Sequence, residues 1–251
     1  IMIQILYRIY QLCIAAPLII IATIATSVVT CIGCLIGNAH TWGYYPGKYW
    51  SIFVCRILLL PVRVEGRELL DKHTSYIFVA NHQSAMDIFL IYGYLCRNFK
   101  WMMKKQLRKT PFIGIACEKA HHIFVDRSTP SKIKETIDEA RTTLQHGTSL
   151  VVFPEGSRTY TGRLGRFKKG AYLLADELQL PIVPITIIGP FEVLPRTKGL
   201  NFVKRHTMLM KIHAPIQPHG IGRTDIQELM EKSRSIIEQG LPKKYQTGTF
   251  T

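Results

Sequence analysis

From Leu12 to Ile36 the chain runs 25 residues without a charged side chain. As a helix this run would be about 38 Å long, enough to cross the hydrocarbon core of a bilayer. A helix that packs on a soluble core keeps a polar stripe, which this run lacks. Pro17 and the hydroxyls of Thr23, Thr26, Ser27 and Thr30 make it less apolar than a strong spanning segment, and Gly33 and Gly37 permit a bend near its end. It therefore spans a bilayer or lies partly immersed in one, and it is too long for the apolar core of a cleaved signal peptide. A second apolar stretch, Tyr49 to Leu60, is too short to span alone. Trp42, Tyr44, Tyr45, Tyr49 and Trp50 gather around the junction, as aromatic rings do at a membrane–water interface.

Charge divides the chain at the same place. Only Arg8, Lys48, Arg56 and Arg63 are charged in the first 64 residues, and no carboxylate precedes Glu65. This predicts a membrane-anchoring helical piece over residues 1–61 and a globular domain over 62–251. Overall the chain has 32 Lys and Arg against 17 Asp and Glu, a net charge of +15, with 47% hydrophobic residues. That balance excludes disorder and favours an anionic membrane surface over nucleic acid as partner. The positive charges between residues 48 and 63 put the globular part on the cytoplasmic side if the apolar run spans.

Cys13, Cys31, Cys34, Cys55, Cys96 and Cys117 lie mostly in apolar stretches and read as reduced, structural thiols. The Cys31/Cys34 pair has metal-ligand spacing but no partnering Cys or His nearby, so packing is the expected role. No Gly-x-Gly-x-x-Gly loop is present. Neither a metal nor a bound cofactor is expected.

Beyond residue 61, β-prone runs at Ser75–Ala80, His121–Val125, Ser149–Phe153, Ile182–Ile188 and Thr207–His213 alternate with helical patterns. Ser131–His146 carries Ile133, Ile137, Ala140 and Leu144 on one face, with Gly147 as its stop. Further helices are predicted after Asp87, over Ile88–Leu95, from Phe167 to Leu178, opened by Lys168 and Lys169, and from a capping box of Thr224 and Gln227 to Gly240. This alternation predicts an α/β fold, a mixed sheet flanked by helices, with reactive residues on the loops leaving the strands.

Two such loops carry chemistry. Asn81-His82-Gln83-Ser84-Ala85-Met86-Asp87 runs off a strand into a helix, and four intervening residues let Asp87 turn back to one imidazole nitrogen of His82. A carboxylate in that position fixes the tautomer and stabilises imidazolium, as a general base for a hydroxyl requires. A structural His with an Asp at a helix N-terminus has the same spacing. Phe153-Pro154-Glu155-Gly156-Ser157-Arg158 breaks a later strand; Gly156 lets a ligand approach the backbone, and Arg158 offers a planar fork suited to phosphate.

These two segments match the His-x4-Asp and Phe-Pro-Glu-Gly-Ser/Thr-Arg motifs of the glycerolipid acyltransferases, and the chain resembles their bacterial 1-acyl-glycerol-3-phosphate members. Two weaker blocks follow the same family in order: Lys104-Lys105-Gln106-Leu107 through Gly114 to Ile123-Phe124-Val125-Asp126-Arg127, and Leu180-Pro181-Ile182-Val183-Pro184-Ile185. Together they cover about residues 62–215, and Ser157 stands where many members have Thr. The resemblance implies acyl transfer from acyl-CoA or acyl-carrier protein to lysophosphatidic acid at a membrane, giving phosphatidic acid, at the bacterial inner membrane. It makes His82 the base and Asp87 its orienting group, with Glu155, Gly156, Ser157 and Arg158 on the glycerol phosphate. Arg127 and Lys105 become further phosphate candidates, and Pro181, Ile182, Val183 and Pro184 line the acyl or thioester channel. Direct attack of the acceptor needs no acyl-enzyme, which leaves Ser84 as a helix-start residue. A hydrolase is disfavoured because the Gly-x-Ser-x-Gly elbow is absent, whereas a transacylase would use the same residues. Basic residues are spread over the globular part without an RNA-binding aromatic signature, which disfavours a nucleic-acid binder.

Overall fold

The computed structural model describes residues 2–125, 130–145, 147–197, 199, 201–220 and 222–247. Seven strands form one mixed sheet: β1 (Val62–Glu65), β2 (Ile77–Ala80), β3 (Phe99–Lys104), β4 (Ile123–Val125), β5 (Ser149–Val152), β6 (Ile182–Ile188) and β7 (Met208–Ile212). Their order is β1-β7-β6-β2-β5-β3-β4. β6, β2, β5, β3 and β4 run parallel, while β7 is antiparallel to β6 and parallel to β1. The loops after β2, β5 and β3 consequently leave from one edge of the sheet, where α/β folds hold their ligands.

The helices are α1 (Met2–Ile36, with a π-helical turn at Gln11–Ala15), α2 (Tyr45–Ile57), α3 (Met86–Tyr94), α4 (Ile113–Lys119), α5 (Pro130–Thr143), α6 (Gly170–Leu178) and α7 (Ile226–Gly240). They cover both faces, so every residue of β2 is buried, the mark of a central parallel strand. Phe78 and Ala80 face a core built with Ala15 of α1, Val54 and Cys55 of α2 and Leu90 and Ile91 of α3. Ile77 and Val79 face the opposite core, with Ala140, Ala171, Leu174, Leu229 and Ile237 from α5, α6 and α7. Full burial of each large apolar side chain contributes about 1.5–3 kcal/mol.

The boundary expected near Pro61 falls between α2 and β1, yet residues on either side of it share one core. α1 is long and apolar enough to cross a membrane, and only 17% of its most apolar window is buried against the rest of the chain. Of the junction aromatics, Trp42, Tyr45 and Tyr49 are exposed, whereas Tyr44 is a core residue packed on Tyr92 and Phe99. All six cysteines are free thiols. α7 is capped by Asp225, which accepts from the amides of Gln227 and Glu228, and not by Thr224, whose hydroxyl donates to the Gly220 carbonyl.

Candidate active site

β2 delivers Asn81 and His82 to the sheet edge, and Asn81 fixes where the strand ends. Its side-chain amide donates to the Ile187 carbonyl at 2.9 Å and accepts from the Ile187 amide at 2.7 Å, which clips the end of β2 to β6. α3 then begins at Met86, with Asp87 in its first turn, where the helix dipole favours a carboxylate. Ser84 holds this corner through its hydroxyl, which donates to the Leu194 carbonyl at 2.7 Å and accepts from the Met86 amide at 3.1 Å. That places Ser84 at the helix start.

Asp87 is fully buried, and its Oδ2 receives three donors: the amides of Gln83 at 2.7 Å and Ser84 at 2.8 Å, and Nδ1 of His82 at 2.8 Å. The neutral tautomer whose Nδ1 donates to the carboxylate carries no proton on Nε2, on a side chain 13% exposed. The imidazole lies flat on Phe153, with ring centroids 3.9 Å apart and planes 10° apart. Phe153 stacks in turn on Trp101 at 5.6 Å. The ring is held by a bond along its edge and a stack against its face, which leaves it little freedom to rotate.

The second loop grips the first through backbone groups. Oε1 of Glu155 accepts from the His82 amide at 2.7 Å, Oε2 accepts from the Gly165 amide at 2.7 Å, and the Thr159 amide donates to the His82 carbonyl at 3.0 Å. Burial pushes the Glu155 carboxyl above the usual carboxylate range, against the amides of His82 and Gly165, which stabilise its charge. Glu155 thus braces the two loops, with each oxygen accepting from a backbone amide.

Gly156 has φ +74°, a left-handed conformation that glycine adopts without strain. The Lys168 side chain lies across it, close enough that a Cβ on Gly156 would come within 2.7 Å of Nζ. Lys168 and Lys169 precede α6 and do not open it; the Lys168 amide donates to the Pro154 carbonyl at 3.0 Å and folds that ammonium over the turn. Ser157 is exposed and Arg158 half-buried. The Arg158 carbonyl is held by Nη1 of Arg196 at 2.7 Å, and the Arg196 guanidinium sits over the Tyr160 ring at 4.1 Å. Lys105 follows β3 and so sits at the same sheet edge as His82, while Arg127 lies outside the described residues.

Pro181 to Pro184 are buried, and the register pairs Ile182 with Ile77 and Pro184 with Val79, so the segment runs alongside β2 toward its His82 end. Pro181 leads into the start of β6 in the sheet interior, which Ile182 to Pro184 form. Sequence reasoning missed Phe153 as the stacking partner of His82, the Asn81 clip and the Arg196 strut. Strand alternation and the polar Asn at a strand end were available signals for the first two.

A family profile described as Acyltransferase matches residues 61–188, and the chain belongs to that family. Its relatives include the 1-acyl-sn-glycerol-3-phosphate acyltransferase of Cocos nucifera, 32% identical over 209 residues that make up 83% of this chain and 65% of the relative. The Saccharomyces cerevisiae enzyme of the same name is 32% identical over 80% of this chain and 66% of its own length. The chain thus spans just under two thirds of these relatives. The crystal structure of PlsC, the 1-acyl-sn-glycerophosphate (LPA) acyltransferase of Thermotoga maritima, superposes with a TM-score of 0.76 at 26% identity, covering 94% of this chain and 93% of that one.

Proposed function

We propose that this chain transfers an acyl group from an acyl thioester to the sn-2 hydroxyl of 1-acyl-glycerol-3-phosphate, giving phosphatidic acid at a membrane surface. The observation that carries the reading is the His82–Asp87 pair at 2.8 Å, which leaves Nε2 to accept a proton. The activities named for the relatives support lysophosphatidic acid as acceptor.

In the proposed reaction Nε2 takes the acceptor hydroxyl proton as its oxygen attacks the thioester carbonyl. The new C–O bond forms, the C–S bond breaks, and the imidazolium returns the proton to the departing thiolate. Asp87 stabilises the transient imidazolium. General-base help of this kind is worth roughly 10²–10⁴ in rate. Arg158 holds the acceptor phosphate through its planar fork, with Gly156 and Ser157 letting the glycerol approach the loop and Lys105 and Arg127 as further cationic candidates. Glu155 acts through the His82 backbone and touches no substrate. The donor is acyl-CoA or acyl-carrier protein, and no metal or resident cofactor takes part in this scheme. α1 holds the enzyme at the bilayer that supplies the lysolipid, with the site facing the cytoplasm.

Arg158→Ala tests the acceptor. KM for lysophosphatidic acid should rise about tenfold or more with kcat little changed, because a charge-assisted bond made equally in ground and transition states is lost. An unchanged KM would move the phosphate to another cation.

A further inference from the structure

The segment between β3 and the end of α4 leaves large apolar side chains in solvent. Phe112 is 54% and Ile115 59% exposed, and Leu107 and Ile113 are exposed beside them. Contiguous exposed apolar groups on a folded domain mark a contact surface. These four alternate with Lys104, Arg108, Lys109 and Lys119, and between Asp87, which is buried, and Glu118 the sequence has no carboxylate. Glu118 itself is paired with Arg108 at 3.7 Å.

The display is built and not incidental. Phe112 has φ +60° and ψ −51°, a sparsely populated turn conformation that costs a non-glycine residue roughly 1–3 kcal/mol. Gly114 lets α4 close on the preceding turn, since a Cβ there would lie 2.1 Å from the Arg108 carbonyl oxygen. The surface is continuous with the apolar anchor: α4 packs on α1, and Cys34 and Leu35 of α1 line one cavity of about 430 Å³ with Arg108 and Lys119. Ile32, Leu35 and Ile36 of α1 are likewise exposed.

We propose that Leu107, Phe112, Ile113 and Ile115, flanked by Lys104, Arg108 and Lys109, form a second membrane-contacting surface that docks on an anionic bilayer beside α1. Apolar side chains rimmed by cations, next to a helix fit for lipid, suit a bilayer interface in both chemistry and position. β3 ends at the sheet edge that carries His82, so docking here would bring that edge toward the lipid. The proposal rests on the lipid-substrate reading above.

The test uses the full chain with Phe112→Trp, and separately Ile115→Trp, bound to vesicles of phosphatidylcholine and phosphatidylglycerol brominated in their acyl chains. Wild-type protein supplies the background from Trp42, Trp50 and Trp101, and Lys232→Trp on the exposed face of α7 is the control. The emission that the introduced indole adds in either variant should fall by about half, since an interfacial side chain sits roughly 5–10 Å into the headgroup–acyl boundary. The control should be unaffected, and quenching should weaken on pure phosphatidylcholine. Emission as insensitive to brominated lipid as the control would overturn the proposal. So would equal quenching on neutral and anionic vesicles, or a blue shift that follows protein concentration in detergent without lipid, which would assign the surface to a second copy. Phosphatidic acid synthesis by the same samples keeps the two readings apart: product without quenching removes only this surface, and quenching without product removes only the reaction.

Discussion

Asp87 and Glu155 are two buried carboxylates with different work, and their hydrogen bonds tell them apart. Oδ2 of Asp87 gathers two amides and the imidazole, while Glu155 divides its oxygens between amides of two loops. Asp87→Asn presents an amide NH2 or a weaker acceptor to those donors. Its kcat should fall about 10²–10⁴-fold with KM for the acceptor retained, measured by initial rates. Glu155→Gln leaves the His82 or Gly165 amide unpaired, and urea denaturation should report about 1–3 kcal/mol of lost stability along with reduced kcat. The pairing of His82 with Asp87 was readable because four intervening residues fix its geometry. The bond from Glu155 to the backbone amide of His82, 73 residues away, leaves no pattern in sequence.

At the scale of elements, β2, β4, β5, β6 and β7 were legible as alternating or continuous apolar runs, and β6 matched residue for residue. β1 and β3 were not. β3 hides behind Lys100, which is 3% exposed yet sits inside the strand, with its ammonium donating to the Ala120 carbonyl at 2.7 Å. Beside it His122 accepts from the Trp101 amide at 3.2 Å, and burial, helped by Lys100, pushes its pKa down to about 3. The ordinary histidine value is about 6.5, so below that pH the unfolded chain binds one more proton than the folded one. Stability then falls on acidification by up to about 1.4 kcal/mol per pH unit from this group. Urea midpoints between pH 7 and 5 should drop less for His122→Gln, which keeps an acceptor for the Trp101 amide, than for wild type. An equal drop in both would remove His122 as the source.

The whole molecule is a sheet whose one face is covered by helices that also present apolar surface outward. Sequence located that apolar run but read it as an appendage, because nothing in a charge-free stretch says which of its residues, such as Ala15, belong to the domain core. Membrane binding through α1 would be hydrophobic and unscreened by salt, unlike contacts made by the net charge of +15. Flotation with phosphatidylglycerol vesicles should therefore persist in molar salt, and full release would reduce the attachment to electrostatics. The central claim is that His82 drives direct acyl transfer to a lysolipid phosphate. It is tested by giving detergent-solubilised protein lysophosphatidic acid and an acyl thioester, and measuring phosphatidic acid and free thiol together. Equal amounts of both, lost by about 10²–10⁴-fold in a folded His82→Ala variant, is the predicted result. Product formed by that variant at the wild-type rate, or none formed by the wild type, would contradict it.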